Sequence, residues 1–291
     1  MSYRKSFLVS LPWIAAVVAG CTGNPLGGSD RIAPPKRQVR GQVQLLGDAA
    51  GRPNDVYVWL EGFNLGTRTD ETGRFQVTLP PPATQNVAGG VSGFFRLYYY
   101  VANYDLEVTD LALKNGELLL PQGELNESGE LRQPKKLVPF LRIETSVTPS
   151  SLTYAEFDTS QAVLTVRFTL EALDDTVGVF FPTQAEAVNL PVLFREVNTG
   201  RVFILEGVPS VNEIQPRQVL SRAVPRKREV FVVLSPGVLP PGDYEVLPYL
   251  LPNHEPVPAD LLRSLGEDVT ALGPGYLDLP MKRLGGAFRL R

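Results

Sequence analysis

The chain has 291 residues, 43% of them hydrophobic, enough for real cores and for about two domains. Its formal net charge is −3 with both signs mixed, and its basic clusters are short, such as Pro225 to Arg228, which excludes a nucleic-acid footprint. One cysteine and one histidine exclude an intramolecular disulfide and any structural zinc site of cysteine and histidine ligands within a single chain.

The chain opens MSYRKSFLVSLPWIAAVVAGC. Arg4 and Lys5 make a positive n-region, and Ser6 to Ala19 is an apolar run of signal-peptide length. That run is shorter than the roughly 20 residues a spanning helix needs. Small residues then lead into Cys21. Val18-Ala19-Gly20-Cys21 resembles the lipobox of bacterial lipoprotein signal peptides. The resemblance implies a diacylglycerol on the Cys21 sulfur, cleavage between Gly20 and Cys21, and acylation of the new N-terminus by a fatty acid such as palmitate. Each buried methylene adds about 0.8 kcal/mol to anchoring, and two or more chains hold stably. Thr22, rather than Asp, follows the cysteine, which by the same resemblance implies the outer membrane, on its periplasmic face or at the cell surface. Loss of residues 1–20 takes the formal charge from −3 to −5. Residues 21–37, rich in Gly and Pro, are expected to be a flexible tether.

From Gln38 the pattern becomes short alternating segments divided by turn residues, the signature of an all-β chain. Val39, Val43 and Leu45 share one face of a first strand, and Val56, Val58 and Leu60 one face of a second. Asp70 to Gly73 is expected to turn a hairpin into a strand with Phe75, Val77 and Leu79 inward. Residues 39–79 resemble the carboxypeptidase regulatory-like domain, a transthyretin-like β-sandwich. The resemblance is carried by Val39, Gly41 and Val43, by Gly51, Arg52 and Pro53, by Val56 to Val58, and by Thr69, Asp70, Gly73, Arg74 and Phe75. It implies a sandwich with no catalytic centre of its own.

Residues 93–113 add strand rich in aromatics. Phe95, Leu97, Tyr99 and Val101 fall on one face; Phe94, Arg96, Tyr98 and Tyr100 fall on the other. Tyr57 and Trp59 lie on the less aliphatic face of the earlier strand. Tyr57, Trp59, Tyr98 and Tyr100 are a candidate binding patch for a glycan or a protein, but core packing or cover by the second domain is the favoured reading, because aromatics are common in strands whatever their function. Residues 114–139 read as an irregular extension whose Glu117, Glu124, Glu127 and Glu130 match no EF-hand spacing and are expected to be solvated.

A domain boundary is placed at residues 145 and 146, giving a first sandwich over 38–145 and a second over 146–291. In the second, Ala162, Leu164, Val166, Phe168 and Leu170 alternate inward, and Asn198-Thr199-Gly200 turns a hairpin. Residues 166–173 (VRFTLEAL), 198–205 (NTGRVFIL) and 239–246 (LPPGDYEV) resemble an immunoglobulin-like sandwich, and the strand start Leu239, Pro241, Gly242 and Tyr244 is similar to that of bacterial intracellular proteinase-inhibitor domains, which raises inhibition as an alternative. Pro258 to Leu265 is expected to form a short helix with Leu261, Leu262 and Leu265 inward, ended by Gly266. A last edge strand is expected near the C-terminus.

Little points to catalysis. His254 sits in a Pro-rich loop beside Glu255, and no nucleophile elbow, Walker loop or dinucleotide fingerprint occurs. The expectation is two tandem antiparallel β-sandwiches behind a signal peptide and tether, not an enzyme, with no cofactor and no metal. The protein would be held to the membrane through the Cys21 lipid and would bind an envelope protein or a glycan.

Overall fold

Period-two alternation lets each strand bury one face and leave the other to water or to a second layer. The computed structural model describes residues 36–47, 52–85, 89–154, 161–181, 190–209, 217–222, 224–253 and 257–291. Within them the chain is all-β, arranged in five sheets, with one short α-helix and two turns of 3₁₀-helix. Cys21 and His254 fall outside the described residues.

The first eight strands are β1 (Gln38–Leu45), β2 (Tyr57–Leu60), β3 (Leu65–Arg68), β4 (Arg74–Thr78), β5 (Gly93–Tyr100), β6 (Glu107–Lys114), β7 (Glu117–Leu118) and β8 (Lys135–Leu137). They form a sheet of order β4-β1-β8 and a second of order β3-β2-β5-β6-β7. Val39, Val43, Phe75, Val77 and Leu79 from one sheet meet Val58, Leu60, Leu97, Tyr99 and Leu111 from the other in a single core. Phe75 meets the Tyr99 ring edge-on at 5.5 Å.

The next thirteen strands are β9 (Leu141–Thr148), β10 (Ser151–Leu152), β11 (Ala162–Ala172), β12 (Thr176–Phe180), β13 (Val192–Glu196), β14 (Val202–Leu205), β15 (Gly207–Pro209), β16 (Arg217–Ser221), β17 (Arg226–Leu234), β18 (Gly242–Pro248), β19 (Leu251–Asn253), β20 (Leu284–Gly285) and β21 (Ala287–Leu290). Helix α1 (Ala259–Leu265) follows β19. Sheets of order β15-β17-β11-β9-β20 and β10-β21-β18-β13-β14 face each other, with a small sheet β16-β12-β19 beside them. Leu164, Val166, Phe168, Val230, Phe194, Tyr244 and Phe288 share this second core. The inward set of β11 is the expected one, Leu164, Val166, Phe168 and Leu170 being fully buried.

Local chemistry sets the turns. Asp70 Oδ1 accepts from the Thr72 and Arg74 amides at 2.8 and 2.9 Å, and Gly73 takes φ +80°. These hydrogen bonds hold the Asp70 carboxyl below its ordinary pKa, the Arg74 amide contributing most. The sequence predicts a hairpin at Asp70 to Gly73. Instead the turn is a corner: β3 pairs with β2, and β4 crosses to pair with β1 in the other sheet. At the C-terminus β21 lies between β18 and β10, so it is an interior strand rather than the expected edge. The sandwiches are not purely antiparallel, since β1 with β8, β10 with β21, and β9 with β20 run parallel. The boundary placed at residues 145 and 146 falls inside β9, which pairs along its length with β11 in the second core.

Candidate functional site

Strand alternation puts Tyr57 and Trp59 of β2 on the same face as Tyr98 and Tyr100 of β5. The register brings Tyr57 opposite Tyr100 and Trp59 opposite Tyr98. The sequence thus assembles the four residues as one cluster, with Trp59 and Tyr98 centroids 5.7 Å apart. The cluster is not open to solvent. Tyr57, Trp59, Tyr98 and Tyr100 are 7%, 2%, 5% and 4% exposed, so of the two readings it is cover by the second domain that holds, and the candidate binding patch is closed. Leu193, Leu247, Tyr249, Leu261, Tyr276 and Leu279 cover them in a third apolar core between the two sandwiches. Helix α1 supplies part of the cover, with Leu261 fully buried and Leu262 and Leu265 packed beside it.

The polar tips of Tyr57, Trp59, Tyr249 and Tyr276 in this core find partners, as burial demands. The Tyr57 hydroxyl lies 2.9 Å from Ser264 Oγ, and Trp59 Nε1 donates to Asn64 Oδ1 at 3.3 Å. Tyr276 meets Tyr249 edge-on at 4.8 Å and donates to the Leu250 carbonyl at 2.7 Å. Tyr249 donates to the Thr270 carbonyl at 2.6 Å. Burial pushes Tyr249 up to about 12 and Tyr100 higher still.

The seam is also sewn with hydrogen bonds. Buried Asn103 donates to the Leu141 and Lys282 carbonyls and accepts from the Lys282 amide, each at 2.9 Å. Lys282 Nζ donates to the Asn54 carbonyl at 2.6 Å. Burial lowers the pKa of Lys282, with Asp55 opposing the shift. Arg68 pairs with Asp55 at 2.5 Å and donates to the Asp278 carbonyl. Neither Asn103 nor Lys282 carries a sequence signal of this role, because their partners lie up to 228 residues away.

The acidic extension is spread out. Glu124 binds Lys135 at 2.9 Å and accepts from the Thr109 hydroxyl, while Asn126 closes its own turn through the Ser128 and Glu130 amides. Among the described residues no cluster of His, Cys, Asp or Glu is arranged to hold a metal ion, and no helix is long and apolar enough to cross a membrane.

One part of the aromatic face stays open. Phe94, on the same face of β5 as Tyr98 and Tyr100, is 88% exposed. With Glu61, Gly62, Phe95, Arg96 and Asp110 it lines a groove of about 720 Å³.

No protein-family model matches the chain, and neither does any curated protein. Among solved structures it is similar to BcpA, the major pilin subunit of Bacillus cereus, at 11% identity and a TM-score of 0.24, over 75% of this chain and 66% of that one. It is also similar to the Bacillus anthracis TIE protein at 10% identity and a TM-score of 0.21, over 75% of this chain and 48% of that one. The chain thus spans just under two thirds of the first protein and about half of the second. Likenesses at this level bear on neither activity nor partner.

Proposed function

We propose that the chain is a lipid-anchored envelope lipoprotein whose β-sandwich body acts as a non-catalytic binding or scaffolding module, held at the outer membrane through Cys21. The observation that carries the reading is the run Arg4-Lys5, an apolar segment, then Val18-Ala19-Gly20-Cys21. A single thiol placed there, in a chain with no other cysteine, fits a lipid attachment point better than a redox or structural role. The nature of the body supports the binding half of the reading. A third apolar core and several buried hydrogen bonds lock the two sandwiches together, which suits a rigid presenting surface.

Two measurements test it. Cells fed a labelled fatty acid should label the native chain, and Cys21→Ala should abolish the label and change membrane fractionation. Label that persists in the variant overturns the anchor. In-cell cross-linking with a C-terminally tagged copy should then yield one dominant envelope component.

A further inference from the structure

Among the described residues, Phe94 is by far the most exposed large apolar side chain, at 88%, and it stands in a defined setting. Three rows cross the outer face of its sheet. In the innermost, Trp59, Tyr98 and Val108 lie side by side under the second sandwich. In the next, the Glu61 amide bonds the Arg96 carbonyl at 3.0 Å, and Arg96 stands opposite Asp110, with the charged groups 3.9 Å apart. The third row pairs Phe94 with Ala112. Arg96 and Asp110 are both well exposed, with side chains at 61% and 83%. The Tyr98 hydroxyl, then Glu61 and Asp110, hold the Arg96 guanidinium firmly charged.

We propose that this groove binds a neutral saccharide, one pyranose ring lying on the face of Phe94 and its hydroxyls bonded by Glu61, Arg96 and Asp110. The face of an aromatic ring is electron-rich and attracts the polarised C–H bonds along one side of a sugar. A sugar also needs acceptors and donors at the rim of that contact. Two carboxylates supply acceptors and one guanidinium supplies donors. The groove volume of about 720 Å³ suits a small ligand rather than a flat protein face. An apolar protein partner would want a continuous apolar patch, whereas a charged row bounds this ring on one side. Two acids against one base disfavour acidic glycans and phosphates. Gly62 lines the groove at φ +80°, and a Cβ there would press on the Phe95 ring at 3.1 Å.

The inference deepens the binding-module reading and is independent of the anchor. The test titrates the full chain, in detergent, with chitohexaose, maltohexaose and cellohexaose by calorimetry, and with polygalacturonate as the acidic comparison. At least one neutral oligosaccharide should bind. Phe94→Ala should weaken it about tenfold, the scale of one lost stacking contact, with an unchanged melting temperature. Phe94→Trp should retain or tighten it. Binding to none of the three, binding that Phe94→Ala leaves intact, or stronger binding of polygalacturonate overturns the proposal. None of those outcomes touches the fatty-acid label on Cys21, so failure here and failure of the anchor are read separately.

Discussion

Asn103 shows what a single side chain does at the seam. It is 2% exposed and fills three hydrogen-bonding positions on backbone groups of residues 141 and 282. Asn103→Ala leaves those groups buried without partners and should destabilise the protein by about 2–3 kcal/mol, read by urea denaturation. Asn103→Asp keeps the shape but loses both amide donors and should fare no better. Trp59→Ala opens a cavity in the third core and should cost roughly 3–5 kcal/mol. If Trp59 were instead a surface contact, the variant would melt like the parent. Both residues were visible in the sequence as residue types. Trp59 could be placed on an aromatic face by alternation, but whether that face met water or protein is not a local property.

At the scale of elements, the corner at Asp70 to Gly73 decides how the first sandwich closes. Sequence correctly marks the turn, since Asp and Gly supply a side-chain acceptor and positive φ. It does not tell a hairpin from a corner, because both use the same turn chemistry. The difference lies in what the flanking strands pair with: β4 takes β1, and β3 takes β2. Gly73→Ala tests the corner. Its new Cβ would stand 2.2 Å from the Val43 carbonyl oxygen at φ +80°, so the variant should lose more than about 1 kcal/mol, seen as a lower melting temperature. The short helix was legible from Pro258, three leucines and Gly266. Its partner was not, since an apolar stripe says only that something covers it.

For the whole molecule, a third core shared by the two sandwiches predicts cooperative unfolding. Residues Lys36–Arg291 form one compact unit, and the third core draws on both sandwiches. Calorimetry should therefore show one transition with agreeing calorimetric and van't Hoff enthalpies; two resolved transitions would count against the shared core. Alkaline pH probes the same packing. Tyr104, Tyr244 and Tyr249 are pushed up to about 12 by burial, and Tyr99 and Tyr100 higher. Their ordinary value is 10.0, so the unfolded chain releases these protons first. Stability held below pH 10 should fall progressively between pH 10 and 12, with tyrosinate absorbance rising in step with unfolding. Lys282 opposes this weakly, because its lowered pKa makes the folded state less unfavourable as pH rises toward 10.5.

The sequence by itself determined the all-β class, most strand faces, the turns, and the short helix. These follow from side-chain period, glycine and proline geometry, and local hydrogen bonds, all of which act over a few residues. Only the tertiary structure decided which faces meet. It put Tyr57, Trp59, Tyr98 and Tyr100 beneath the second sandwich and left Phe94 outside. It also moved β9 into the second core and turned an expected hairpin into a corner. Those outcomes depend on contacts between residues far apart in the chain, where an apolar face is satisfied equally by any partner of the right shape, and no local pattern specifies which one arrives.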